Sequence, residues 1–139
     1  MIRLTEEMRA AIDSALADGA PIAVAAVDAE GQPNITLRGS TLALDEERLA
    51  LWARNPGGGL VGSIAANPKV ALLYRNPATR LSLLFHGRAH VTDDAALAVQ
   101  IYDRSPEPER TRDPQRLGVA IVIELDRVIQ RGEVLMERD

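Results

Sequence analysis

The stretch "LSLLFHGRAHV", residues 81–91, keeps one alternation going for eleven positions, and this constrains the fold more than any other feature of the chain. Leu81, Leu83, Phe85, Gly87, Ala89 and Val91 fall on one side. Ser82, Leu84, His86, Arg88 and His90 fall on the other, with Leu84 the one apolar exception. Side chains of an extended strand alternate with period two, so the segment reads as a strand with one buried face. Further strands are predicted over 22–28, 34–44, 48–54, 70–75, 117–125 and 128–134, most of them joined by short turns rich in Gly, Pro, Asp and Asn. Helices interrupt them at 4–18, where Thr5 is a plausible N-cap and Leu4, Met8, Ile12 and Leu16 form a stripe, at 57–67 and at 93–102. Residues 103–116, "DRSPEPERTRDPQR", carry three prolines and many charges and read as a loop or lid. Strands that follow one another so closely predict a mainly β fold, an antiparallel barrel with helices at its ends or sides, rather than a parallel sheet.

A chain of 139 residues suits one domain, taken as residues 1–139, and can bury a core without covalent staples. It has no cysteine, which excludes disulfides and thiolate metal sites and fits a reducing cytoplasm. The opening "MIRLTEEMRA" has no apolar stretch of signal-peptide length, and runs such as "PIAVAAV" are too short to span a bilayer. The net charge is −4 and the aromatics are only Trp52, Tyr74, Phe85 and Tyr102, so neither a basic footprint nor a base-stacking platform points to nucleic acid. All basic residues but Lys69 are arginine, whose planar fork suits phosphate and carboxylate.

No catalytic or metal-binding constellation stands out. His86 and His90 share a strand face but lie ~13 Å apart, too far for one metal ion. No serine sits in a nucleophile-elbow context, and the paired acids fall in turns and at helix starts. The one pointed feature is the run Gly57, Gly58, Gly59 before a helix. Bare backbone amides at a helix start approach an anion closely, and Arg38 and Arg54 are placed to converge there. Neither the dinucleotide fingerprint nor the P-loop pattern matches, so by itself the run is equally a plain loop.

Taken together, "GQP" at 31–33, "LRGST" at 37–41, "LALWARN" at 49–55, "NPKVALLY" at 67–74 and "FHGRAHV" at 85–91 resemble the FMN-binding split-barrel, or pyridoxamine 5′-phosphate oxidase-like, family across residues 4–130. The resemblance implies a six-stranded antiparallel Greek-key split barrel, a homodimer, and FMN in a groove between the subunits. It implies a flavin-dependent oxidoreductase of undefined substrate, with a deazaflavin-dependent reductase, or a non-catalytic dimeric haem, flavin or stress-related protein, as alternatives. For haem, His86 and His90 are the only imidazoles. The implied cofactor-binding residues are Thr36, Arg38, Gly39, Ser40 and Thr41 on the second strand, Trp52 and Arg54 on the third, Gly58 and Gly59 at the helix start, and Ser82 on the fifth. The family's usual Ser-Arg-Lys phosphate trio falls on Gly58, Gly59 and Leu60, which leaves Arg38, Arg54 and the glycine amides to hold a phosphate, or a site that takes another ligand or none. The C-terminal substrate contacts of the vitamin oxidase itself have no counterpart after "RVIQRGEVLMERD".

Overall fold

The computed structural model describes all residues from Met1 to Asp139. In chain order the elements are α1 (Glu6–Asp13), β1 (Ile22–Val27), β2 (Pro33–Arg38), β3 (Leu42–Ala43), β4 (Arg48–Ala53), α2 (Gly59–Ala66), β5 (Lys69–Asn76), β6 (Leu81–Val91), α3 (Ala95–Arg104), α4 (Glu107–Arg110), β7 (Val119–Gln130) and β8 (Glu133–Glu137). The strands form one curled sheet in the order β2-β1-β5-β6-β7-β4-β3, with β8 also paired to β7 and every pairing antiparallel. Eight strands are therefore present where six were expected; two-residue β3 and five-residue β8 are short additions.

The alternation of residues 81–91 is realised as written. Leu83, Phe85, Gly87 and Ala89 point into the curl, and Phe85 is fully buried. They meet Ile22, Val24, Leu49, Leu51, Leu72, Tyr74, Ile121 and Ile123, with Ile12 of α1 and Ile64 of α2 closing the core. Each such large side chain contributes about 1.5–3 kcal/mol on burial. A second, smaller cluster lies on the other side of β4 and β7, where Ala50, Trp52, Ala120 and Val122 pack against Ile101 and Tyr102 of α3. Burial on both faces explains why "LALWA" and "AIVI" are continuously apolar rather than alternating.

Four boundaries differ from expectation. The predicted strand 34–44 breaks at 39–41, where Thr41 Oγ1 donates back to the Arg38 carbonyl (2.8 Å) and Ser40 turns inward. The two strands predicted over 117–134 are redistributed into the longer β7 and a β8 beyond a two-residue turn, Arg131–Gly132. Helix α1 stops at Asp13, whose Oδ1 accepts from the Ala43 amide (2.8 Å), and the chain continues in tighter turns to Gly19. Residues 103–116 are no free lid: they contain α4 and are pinned by Tyr102, whose hydroxyl donates to the carbonyls of Asp113 (2.9 Å) and Arg110 (3.2 Å).

Gly87 marks a register shift between β6 and β7. A Cβ there would lie 2.6 Å from the Glu124 carbonyl oxygen and 2.9 Å from Ile123 Cγ2. Gly87→Ala is therefore expected to destabilise the fold by about 1–3 kcal/mol, read from urea melts followed by Trp52 fluorescence.

Candidate functional site

Strand β2 lies at one edge of the sheet, and its register on β1 decides which side chains turn inward. Asn34, Thr36 and Arg38 pair opposite Ala26, Val24 and Ile22, the inward-facing residues of β1. They therefore share a face and stand ~7 Å apart, ~13 Å from end to end. Helix α2 lies against the same side. Between them is a cleft of about 560 Å³ lined by Ala26, Asp28, Ala29, Asn34, Thr36, Arg38, Gly59, Leu60, Gly62 and Ser63.

The helix start is built for close approach. Gly58 is the N-cap and offers no side-chain acceptor to the first amides, which have no partner within a helix. A Cβ added at Gly59 would meet nothing within 4 Å, so the space beside it is open. The partial positive charge of the helix end adds to that of the nearby arginines.

Arg38 donates through Nε to Thr36 Oγ1 (3.0 Å), and neither it nor Arg54 forms an ion pair with a carboxylate. Burial lowers the Arg38 pKa from its ordinary value, and repulsion from Arg54 lowers it further; Glu109 opposes both. Arg38 thus shares the cleft with unsatisfied amides while a second guanidinium repels it, an arrangement that an anion would relieve. The far end of the cleft carries Asp28. Its carboxyl is held below the usual carboxylate range, first by the Gln32 amide, against some cost of burial, and then by Glu30 and Asn34. The cleft is therefore cationic at one end and anionic at the other.

Of the sequence-predicted residues, Thr36, Arg38 and Gly59 line this cleft, with Gly58 at its rim as the N-cap. Arg54 is exposed and close enough to Arg38 to act on its charge. The others stand apart. Gly39 lies beneath the Glu109 carboxylate, which a Cβ would meet at 2.6 Å. Ser40 is buried, its hydroxyl donating to the Trp52 carbonyl (3.0 Å) and accepting from the Trp52 amide (2.9 Å). Thr41 is buried and bonded to Arg38. Trp52 belongs to the second core, edge-on to Tyr102 at 5.1 Å, with its indole N–H given to Asp113 Oδ2 (2.9 Å). Within one chain Ser82 lines a different cleft, with Arg75 and Arg80. His86 is half-buried on the outer sheet face, in a cleft of about 540 Å³ with Lys69, Asp126, Arg127 and Arg138, while His90 is exposed. No three His, Asp or Glu side chains converge as a metal site.

Sequence reasoning missed Asp28, Asn34 and Ser63. The period-two pattern that selected Thr36 and Arg38 also contained Asn34. Asp113 was missed as well; its one signal was an acid before proline in a proline-rich stretch.

The family model described as pyridoxamine 5′-phosphate oxidase matches residues 4–130. Comparison with curated proteins gives no match. Among solved structures, HupZ of Group A Streptococcus is 23% identical, covering 96% of this chain and 99% of its own, with a TM-score of 0.71. HutZ, the haem storage protein of Vibrio cholerae, is 16% identical over 91% and 94% with a TM-score of 0.68. An FMN-binding protein of Syntrophomonas wolfei subsp. wolfei is 9% identical over 96% and 89% with a TM-score of 0.63. At these identities the likeness concerns the fold.

Proposed function

The chain belongs to the pyridoxamine 5′-phosphate oxidase family, and from that premise we propose that it is an FMN-binding flavoprotein of oxidoreductase type. The observation that carries the reading is Arg38, in no ion pair, sharing a cleft of about 560 Å³ with the bare amides of α2, with Arg54 near enough to act on its charge. That volume lies within the usual range for small-molecule sites. Arg38 and Arg54 hold the phosphate together with the Gly59 amide, and Thr36 and Asn34 offer polar contacts along the tail. These groups replace the missing Ser-Arg-Lys trio. When bound, the flavin supplies the hydride chemistry, so the protein needs only to bind, orient and shield it. FMN added to purified protein is expected to lose fluorescence with saturation at one equivalent per chain. Protein that stays colourless and leaves FMN fluorescence unchanged sinks the reading, and quenching by a deazaflavin alone would favour that cofactor in its place.

We propose further that the protein works as a homodimer built on the outer sheet face. Leu37, Ala23, Leu73, Leu84, Ile129 and Val134 are successive partners across β2, β1, β5, β6, β7 and β8, so they form one row on that face. Leu37 is 66% exposed and Leu73 42%, and Ile35 in the next row is 67% exposed. An apolar row of this extent is costly to leave in water, and a second copy supplies a matching one. Light scattering is expected to give twice the 15.0 kDa chain mass. Leu73→Asp should return it to the single-chain mass, and a parent that is already monomeric refutes the dimer.

A further inference from the structure

We propose that Arg75, Arg80 and Arg131 form a second anion seat, one that takes the phosphoryl group of a small phosphorylated ligand. The three line a cleft of about 400 Å³ with Asn76, Pro77 and Ser82, at the opposite end of β5 from Lys69. None of the three guanidinium groups makes an ion pair or a hydrogen bond. Arg9 and Arg54 also lack such partners, but neither lines this cleft, where three unpaired cations gather in a chain whose acids outnumber its bases, 20 to 16. Arg3, Arg48, Arg88, Arg112, Arg116, Arg127 and Arg138 all find carboxylates, and Arg104 and Arg110 find backbone carbonyls.

The backbone supplies a second, independent observation. Arg80 and Arg131 adopt φ of 62° and 50°, in the left-handed region that glycine and asparagine occupy with least strain. Arg80 ends the four-residue loop between β5 and β6, and Arg131 opens the turn between β7 and β8, where the first position favours asparagine or glycine. Two turns thus hold a long cation in the conformation that least suits it, and both turns deliver it to the same cleft. Sites that keep such strain tend to be functional.

Asn76 gives a third observation. It is only 7% exposed and lines the cleft; its Oδ1 accepts from the Ala78 amide (3.0 Å), while its amide nitrogen donates to no protein group. With the Ser82 hydroxyl, which pairs opposite Arg75, the cleft offers two neutral donors among three cations. No large apolar side chain lines it, and three of its six lining residues are cations, so it suits a charged group better than a ring. A dianion with several acceptor oxygens suits three forks and two neutral donors better than a single carboxylate does. Two carboxylates, Glu7 and Asp18, line a neighbouring cleft that shares Asn76, Arg80 and Arg131, and neither forms an ion pair with them.

The test uses inorganic pyrophosphate as the probe and full-length Arg38→Ala/Arg54→Ala protein as the host. The host lacks the first seat, so the outcome does not depend on whether FMN binds there. Calorimetry is expected to show saturable pyrophosphate binding to the host. Adding Arg80→Gly/Arg131→Gly should weaken it at least tenfold, with a melting temperature in probe-free buffer at or above that of the host, because glycine relieves both left-handed positions. Arg75→Gln should weaken binding without touching either turn. A host that binds no pyrophosphate overturns the proposal, as does binding unchanged by the glycine pair or displaced equally well by succinate.

Discussion

Alanine at both Arg38 and Arg54 is expected to weaken FMN binding by about two to four orders of magnitude. Each removes a charge-assisted hydrogen bond to phosphate, worth about 1.5–3 kcal/mol. The chain has no lysine or arginine at 58–60 to take over, since those positions are Gly58, Gly59 and Leu60. The fold itself should not suffer. Burial and Arg54 disfavour the charged form of Arg38, while Glu109 favours it and Arg54 aids Asp113, so the opposing effects leave stability nearly unchanged. The melting temperature of the variant should stay close to that of the parent, while the rise that FMN produces in the parent should vanish, as mass action requires of a lost ligand. Retention of full FMN affinity would place the cofactor phosphate elsewhere.

The second large effect concerns Asp113, which anchors the segment behind β4. Its carboxylate accepts from the Trp52 indole (2.9 Å), the Leu117 amide (2.9 Å) and the Gly118 amide (2.9 Å), and the residue is 6% exposed. Gly118 can reach it only for want of a side chain, since a Cβ there would lie 2.3 Å from the Ala53 carbonyl oxygen. Asp113→Ala leaves one buried and two part-buried donors unpaired and is expected to cost about 2–4 kcal/mol in a urea melt. The one tryptophan is a direct partner of this carboxylate, so its fluorescence should change in the folded state as well.

A pH dependence accompanies the anchor. Burial pushes the Asp113 carboxyl up, but hydrogen bonds from Trp52, Leu117 and Gly118, aided by Arg54, outweigh it, and its pKa lies below the ordinary value. The folded pKa is thus below the unfolded one, and the stabilisation is fully present above the unfolded value, about 4. It is lost as pH falls through the folded value. Asp45, where burial is likewise outweighed by Arg48 and the amides of Glu47 and Arg48, shifts in the same direction. A profile of the parent alone therefore does not isolate Asp113. The stability difference between parent and Asp113→Ala does: it should be constant near neutrality and shrink below about pH 4. A difference that is flat down to pH 2 would contradict the anchoring role.

Much of the fold was legible because it follows from local periodicity. Alternation over 81–91 needed no partner to be read as a half-buried strand, and β6 begins and ends where the pattern does. The same rule put Thr36 and Arg38 on one face, and the cleft beside α2 contains both. What failed was whatever depended on contacts distant in sequence. The indole N–H of Trp52 meets Asp113, 61 positions away, which makes the residue part of a core rather than a ring-binding surface. Ser40 is held by the backbone of Trp52 across β4, so its hydroxyl is unavailable to a ligand. The charged, proline-rich stretch looked mobile, yet Tyr102 and Asp113 fasten it down.

The sequence by itself determined that the chain is mainly β, where its principal strands run, and that Thr36 and Arg38 share one face of their strand. These follow from side-chain alternation, turn chemistry and capping, which act over a few residues. Only the tertiary structure decided which face of β4 meets α3, that Asp113 bonds the sole indole, and that Arg75, Arg80 and Arg131 gather at one end of the sheet. Strand register sets those outcomes, and register is fixed by how separate strands share a core rather than by any short stretch of chain.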